Sequence, residues 1–376
     1  MRVNHNKGYA AYNRPAKGCR MCIKGEKLVL FITGLCGQRC FYCPISENKF
    51  GKDVVYANEW NINNKEELRE EIRLTGAKGA GITGGDPLLT IDKTCQHIEF
   101  LKNNFGKNFH IHLYTPLQLV NKENLEKLYK SGLDEIRFHP DINNSEQWGR
   151  IILADKYSWD VGVEIPCIPG KEAEIIKLIE FIKGDIKFIN LNELEFSDTT
   201  IKHYNLEGYK TRNEASYAAK DSEETAIKII NYAEEKNLPL TVYFCSAKLK
   251  DKAQMGNRIK RRAKESAKEY DKITKEGMLV RGVIYLEELK PGFDYRNKIE
   301  HVDRAEFLKK LEDAKKLVFE KTMIRTMDVD DYKLRLTLSA KDVKRNSRKI
   351  KKLGLIPAIV EEYPTHDAVE VEIHIL

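Results

Sequence analysis

Leu28-Val29-Leu30-Phe31-Ile32-Thr33 runs directly into Gly34-Leu35-Cys36-Gly37-Gln38-Arg39-Cys40-Phe41-Tyr42-Cys43-Pro44. The first six residues are aliphatic, aromatic and β-branched, the pattern of a buried strand, and the glycines that follow mark a loop. On that loop Cys36, Cys40 and Cys43 stand in C-x3-C-x2-C spacing, which lets three thiolates meet at one metal centre. A closed structural zinc or iron–sulfur site takes four ligands. Three leave one corner open, and an open corner is what catalysis needs.

Outward from this strand the alternation of β-rich and amphipathic runs continues to Phe244. Strands are expected at Leu28–Thr33, Ala80–Thr83, His110–Tyr114, Glu135–Phe138, Gly162–Pro166, Phe188–Glu193 and Leu240–Phe244. Between them Lys65–Leu74, Lys93–Lys102, Lys122–Ser131, Glu172–Lys183 and Glu223–Glu235 place apolar residues three and four apart, as helices do. Gly76, Gly132 and Gly184 fall just past helix ends, where a left-handed conformation is expected. Seven βα units predict an α/β fold built on a partial or near-complete TIM-like barrel, with chemistry at the carboxyl ends of its strands. The expected division is an N-terminal segment 1–26, a barrel 27–245, a basic helical connector 246–277 without a strand, and an α+β domain 278–376 for which a ferredoxin-like arrangement is one form.

The chain has 376 residues, 41% hydrophobic and 32% charged, too apolar for a disordered chain and too mixed for a membrane bundle or coiled coil. No apolar run approaches the roughly 18 residues that span a bilayer. The polar start Met1–Lys7 leads into no export signal, so the cytoplasm is the expected compartment. Eight cysteines are sparse for a disulfide scaffold, and five crowd between Cys19 and Cys43. In a reducing compartment such clustering means metal or redox chemistry.

At the cysteine loop the sequence resembles the radical SAM superfamily, whose hallmark is this spacing with an aromatic residue, here Tyr42, before the last cysteine. The resemblance spans roughly residues 27–245. It implies that Cys36, Cys40 and Cys43 bind three irons of a 4Fe-4S cluster, that S-adenosylmethionine chelates the fourth, and that Tyr42 helps seat the adenine. It implies reductive cleavage to a 5'-deoxyadenosyl radical, with an electron donor such as ferredoxin or flavodoxin. Among members, the enzymes that activate pyruvate formate-lyase are similar. The run Thr83-Gly84-Gly85-Asp86-Pro87 ends the second strand, where the family receives the methionine amino group; Gly84, Gly85 and Asp86 carry that role over, with aspartate in place of the commoner glutamate. On the fifth strand Ile168 and Gly170 match the family's adenine-packing run, whereas Pro166 replaces its first glycine and Ala173 its acid.

A further pair, Cys19-Arg20-Met21-Cys22, precedes the first strand, and Cys245 follows the seventh. Together they are candidates for an auxiliary iron–sulfur cluster or a zinc site, the latter with His5 as a fourth ligand. Cys95, on an amphipathic helix, reads as a core residue; Cys167 lies at a strand end. His139 and Asn192, also at strand ends, are candidate contacts for S-adenosylmethionine or substrate. The segment Phe50–Trp60 is long for a βα connection and reads as a lid or as a surface hairpin.

Basic charge is concentrated: residues 246–265 hold eight basic and two acidic residues, and 341–352 seven basic and one acidic, against a net charge of +7 for the whole chain. Such segments fit phosphate-backbone binding, or are simply solvated helix faces. The candidate substrates are therefore RNA, a protein, or a small metabolite. A rival from another class is a zinc-stabilised RNA-binding module without catalysis.

Overall fold

Seven parallel strands organise the first of two units, Met1–Arg258, in this computed structural model, which describes residues 8–197, 208–213, 216–292 and 294–376. In chain order the strands of this unit are β1 (Tyr9–Tyr12), β2 (Lys27–Phe31), β3 (Tyr56–Ala57), β4 (Trp60–Asn61), β5 (Gly79–Thr83), β6 (His110–Pro116), β7 (Glu135–His139), β8 (Asp160–Cys167), β9 (Phe188–Glu193) and β10 (Thr241–Cys245). They form one sheet in the order β1-β10-β9-β8-β7-β6-β5-β2-β3-β4. From β2 to β10 every pairing between the main strands is parallel, while β1 joins β10 antiparallel and the β3–β4 hairpin joins β2 antiparallel.

The helices are α1 (Lys17–Ile23), α2 (Lys65–Thr75), α3 (Ile91–Phe105), α4 (Lys122–Lys130), α5 (Gly149–Ile152), α6 (Glu172–Ile182) and α7 (Ser222–Glu235). Their ends are set locally: the Asn64 side chain accepts from the N–H of Glu66 and Glu67 at the start of α2, and Gly76 closes that helix at φ 56°. Gly132 is also left-handed, but Gly184 is not. Apolar faces of the helices and the strands merge into one core that includes Leu28, Leu30, Ile82, Ile98, Ile136, Val163 and Leu191.

The second unit, Ile259–Leu376, has strands β11 (Lys272–Ile273), β12 (Leu279–Leu286), β13 (Met327–Asp330), β14 (Arg335–Leu338), β15 (Leu355–Glu362) and β16 (Glu370–Ile375). All pairings are antiparallel, in the order β13-β14-β12-β15-β16, with β11 beside β12. Its long helices are Arg304–Thr322, between β12 and β13, and Ala340–Lys351, between β14 and β15.

Two expectations change. The described part of the N-terminal segment, residues 8–26, belongs to the first unit, through β1 and α1. The connector is not one solvated helix: after Ser246 caps a short turn, Lys250–Met255 forms a π-helix, Gly256–Ser266 an α-helix that contains the unit boundary, and Lys272–Ile273 a strand. Among its basic residues Arg258 and Arg262 are buried and Lys250 pairs with Glu195, so the segment is no continuous basic surface. On Ala340–Lys351, by contrast, Val343 and Ile350 are buried and the basic residues face solvent. No helix among the described residues is long and apolar enough to cross a membrane.

Candidate active site

The cysteine loop leaves β2 and returns to it. Its neck is closed by the N–H of Gly34 donating to Lys52 O (2.8 Å) and that of Gly51 to Gly34 O (3.0 Å). The turn after β5 is stitched to the same loop: Gly85 N–H donates to Thr33 O (2.7 Å) and Asp86 N–H to Leu35 O (2.8 Å). Only glycine permits this approach, since a Cβ at position 85 would stand 2.1 Å from Leu35 O and 2.8 Å from Cys36 Cβ. Two distant sequence motifs thereby form one wall.

That wall bounds a cavity of about 1190 Å³. Cys36, Cys40, Cys43, Tyr42, Gly84 and Gly85 all border it. So do Lys27, Gly81, His112, Arg137, Glu164, Asn190 and Tyr243, one residue from each of the seven parallel strands, so the sheet curls around the space. Burial pushes all three loop thiols up, Cys40 to about 11. Held as neutral thiols, with Gln38 N–H donating to Cys36 Sγ (3.3 Å) and Cys40 Sγ donating to Gln38 Oε1 (3.2 Å), they would release their protons to a cationic iron centre. Three such donors beside a backbone-lined turn fit a three-ligand cluster.

Beneath the loop the interior is polar. Arg137 is 2% exposed and donates to Glu135 (Nε to Oε1, 2.6 Å), Glu164 (Nη1 to Oε2, 2.7 Å) and the Tyr114 hydroxyl (3.0 Å). Glu164 also accepts from Asn190 (2.8 Å) and Asn192 (2.9 Å). Burial alone would raise its carboxyl, but Arg137 and the two amides outweigh it and hold Glu164 below the usual range. Lys27 sits with Nζ 3.0 Å from His110 Nδ1 and 2.5 Å from the His110 carbonyl, and burial lowers its ammonium to about 7. His139 meets the Glu164 carbonyl through Nδ1 (2.8 Å), and a carbonyl only accepts, so Nδ1 carries the proton. Nε2 is then the acceptor for the Tyr42 hydroxyl at 2.9 Å, and burial keeps the ring neutral.

The structure thus brings Cys36, Cys40, Cys43, Tyr42, Gly84, Gly85, His139 and Asn192 to one cavity, together with Cys19, Cys22 and Cys245. Asp86 and Ile168 are not on its wall. Asp86 is 2% exposed and its Oδ1 accepts from Leu88 N–H (2.9 Å) and the Thr115 hydroxyl (2.9 Å), capping the short helix Pro87–Thr90. Ile168, Cys95 and Cys167 belong to the apolar core. His5 lies outside the described residues. Tyr56–Asn61 is a hairpin on the sheet edge, while Lys49 and Phe50 border the cavity. Among the described residues no three His, Cys, Asp or Glu side chains converge on a single ion. Lys27, His112 and Glu164 were not singled out in the sequence. Their signal is polar residues at alternate positions of parallel strands, His110, His112 and Tyr114 or Glu135, Arg137 and His139, where burial on both faces favours apolar runs.

Residues 30–182 match the family described as the radical SAM superfamily. Over 370 residues, 96% of this chain and 92% of the relative, the sequence is 40% identical to a Methanocaldococcus jannaschii protein with the provisional name glycyl-radical enzyme activating enzyme MJ0021. The chain belongs to the radical SAM superfamily. As a member it uses a 4Fe-4S cluster and S-adenosylmethionine, and it is an enzyme. Similar solved structures include HydG, a maturase of the FeFe-hydrogenase, with a TM-score of 0.39 at 14% identity over 89% of this chain and 79% of that one. The radical SAM methyltransferase TsrM from Kitasatospora setae matches with a TM-score of 0.36 at 12% identity over 66% of this chain and 55% of that one, so the chain spans about half of that enzyme. The family assignment leaves the non-catalytic zinc reading without support.

Proposed function

We propose that Cys36, Cys40 and Cys43 hold the 4Fe-4S cluster, that the Gly84–Gly85 turn receives the methionine end of S-adenosylmethionine, and that the first unit acts as a partial βα barrel around them. Asp86 serves this set from behind, fixing the glycine turn through Leu88 and Thr115. The chemistry such a centre supplies when bound is one-electron reduction of the sulfonium, which yields a hydrogen-abstracting 5'-deoxyadenosyl radical. The chain's own residues set the conditions. The loop borders the cavity, Tyr42 stands on its wall with its hydroxyl tied to His139, and the Arg137–Glu164–Asn192 group is a fixed polar wall.

We take a protein segment as the substrate class and read the activity as that of a glycyl-radical activating enzyme. The 40% identity across nearly the whole chain to a relative of that name carries this reading. We read the second unit, whose chain order β12-α-β13-β14-α-β15 gives the sheet order β13-β14-β12-β15 with β16 added at the edge, as ferredoxin-like and as the place for partner contact. RNA as substrate rests only on the exposed basic face of Ala340–Lys351, an ordinary solvent face of an amphipathic helix. The test is anaerobic incubation of the reduced, reconstituted protein with S-adenosylmethionine. Wild type is expected to release 5'-deoxyadenosine and Cys40→Ala to release at least a hundredfold less; equal release by both refutes the ligand assignment.

A further inference from the structure

Cys19, Cys22 and Cys245 form a second thiol group in the first unit. Cys19 and Cys22 lie one helical turn apart on α1, hence on one face. α1 can reach the strands because residue 18 is glycine: a Cβ there would stand 2.5 Å from Arg137 Nη2, 2.7 Å from His112 Nδ1 and 2.8 Å from Glu135 Oε1. The Gly18 N–H instead donates to Glu135 Oε2 at 3.0 Å. Cys245 ends β10, where β1 pairs Tyr9 opposite it. Cys19, Cys245 and Tyr243 pack in one buried cluster, and all eight cysteines of the chain are free thiols.

The surroundings of these sulfurs are not those of small apolar core residues. Cys95 and Cys167 sit in the apolar core. Cys19 Sγ instead receives Nη2 of Arg137 (3.4 Å) and Nδ2 of Asn190 (3.2 Å), and Cys245 Sγ receives Nε2 of Gln254 (3.3 Å). N–H donors, one of them a guanidinium, are what a negatively charged or metal-bound sulfur attracts. Gln254 is aimed there by the π-helix Lys250–Met255, a form concentrated at functional sites. Tyr243, 1% exposed, holds its hydroxyl among the thiols with no hydrogen-bond partner, an orphan that a group bound there would satisfy.

We propose that Cys19, Cys22 and Cys245 bind a second iron–sulfur centre in the same cavity as the cluster loop. The choice of a cluster over a single ion follows from ligand count. A structural zinc draws four ligands to one point. Here three thiolates, from segments more than 220 residues apart in sequence, fall one ligand short of that set, whereas in a cluster each binds a different iron. The site deepens the radical SAM reading but stands on its own sulfurs.

The test is iron, sulfide and zinc content of the full chain after anaerobic reconstitution. The variant Cys36→Ala/Cys40→Ala/Cys43→Ala is expected to keep half of the wild-type iron and sulfide, with a Mössbauer spectrum of a cluster. Adding Cys245→Ala is expected to remove most of that remainder. Because α1 helps to seal the strands, Gln254→Leu provides a check that leaves every thiol in place: on the loop-triple background it is expected to retain the iron and shift the reduction potential of the centre. Loss of all iron in the loop-triple variant, or zinc in place of iron and sulfide, overturns the proposal. Release of 5'-deoxyadenosine by wild type is read separately, so failure here is distinct from failure of the cluster-loop assignment.

Discussion

Arg137 in the first unit and Arg335 in the second are both buried guanidiniums held by carboxylates, yet their surroundings differ in kind. Arg335 is fully buried and meets Asp330 (2.9 Å), Glu362 (2.6 Å) and Glu370 (3.4 Å). Its neighbour Lys333 pairs with Glu370 (2.6 Å) and donates to the Ala368 carbonyl (2.7 Å), and Tyr295 donates to the Lys333 carbonyl. No atom of this group is left without a partner. Around Arg137 the guanidinium is satisfied, but His112 Nδ1, Asn190 Oδ1 and the Tyr243 hydroxyl are orphaned, and the group borders a cavity and two sets of thiols. A closed buried network ties strands of a small sheet together; an open one marks the place where something else must bind.

The contrast can be broken by substitution. Removing the cation from the closed network leaves buried Glu362 with Arg281 (3.3 Å) as its one remaining cation and strips Asp330 of its guanidinium, so Arg335→Ala is expected to cost about 3–5 kcal/mol in denaturant unfolding. Arg335→Met combined with Glu362→Leu is expected to recover most of it, because shape-filling apolar pairs replace such groups well. Recovery would show that this network is architectural.

In the open network Lys27 carries the sharper pH signature. Its ammonium is lowered to about 7 when folded, against roughly 10.4 unfolded, so between those values the unfolded state binds more protons and stability rises with pH. Below pH 7 the burial cost is present in full. Lys27→Met is therefore expected to gain most over wild type below pH 7, and the advantage to fade as pH approaches about 10; a pH-independent difference would contradict the assignment. The smallest expected effect is at Gly18. Alanine favours a helix interior by about 1 kcal/mol, but here its methyl group meets pinned side chains, so Gly18→Ala is expected to destabilise by about 1–3 kcal/mol. A stabilised variant would mean that α1 does not seat on Arg137 and Glu135.

Most of the scaffold was readable in advance, and the reasons are local. β9 and β12 fall at Phe188–Glu193 and Leu279–Leu286 as their β-rich, apolar runs require. β1 carries no strand pattern of its own in Tyr9-Ala-Ala-Tyr12; it exists through pairing with β10, whose partner residues lie at least 230 positions away. The lysine density of the connector 246–277 points to solvent, whereas Arg258 folds inward to Glu59, which composition does not encode. In the site, the cysteine spacing and glycine turn were legible because backbone chemistry dictates them. The placing of Asp86 behind the turn and of Ile168 in the core depends on how the loop packs, which spacing does not encode.

Low-temperature EPR of the anaerobically reduced protein, with and without S-adenosylmethionine, tests the cluster-loop assignment most directly. Wild type is expected to show a reduced-cluster signal whose line shape changes when S-adenosylmethionine is added, and Cys40→Ala to lack the component that responds. A Cys40→Ala protein that keeps the same responsive signal would contradict the account.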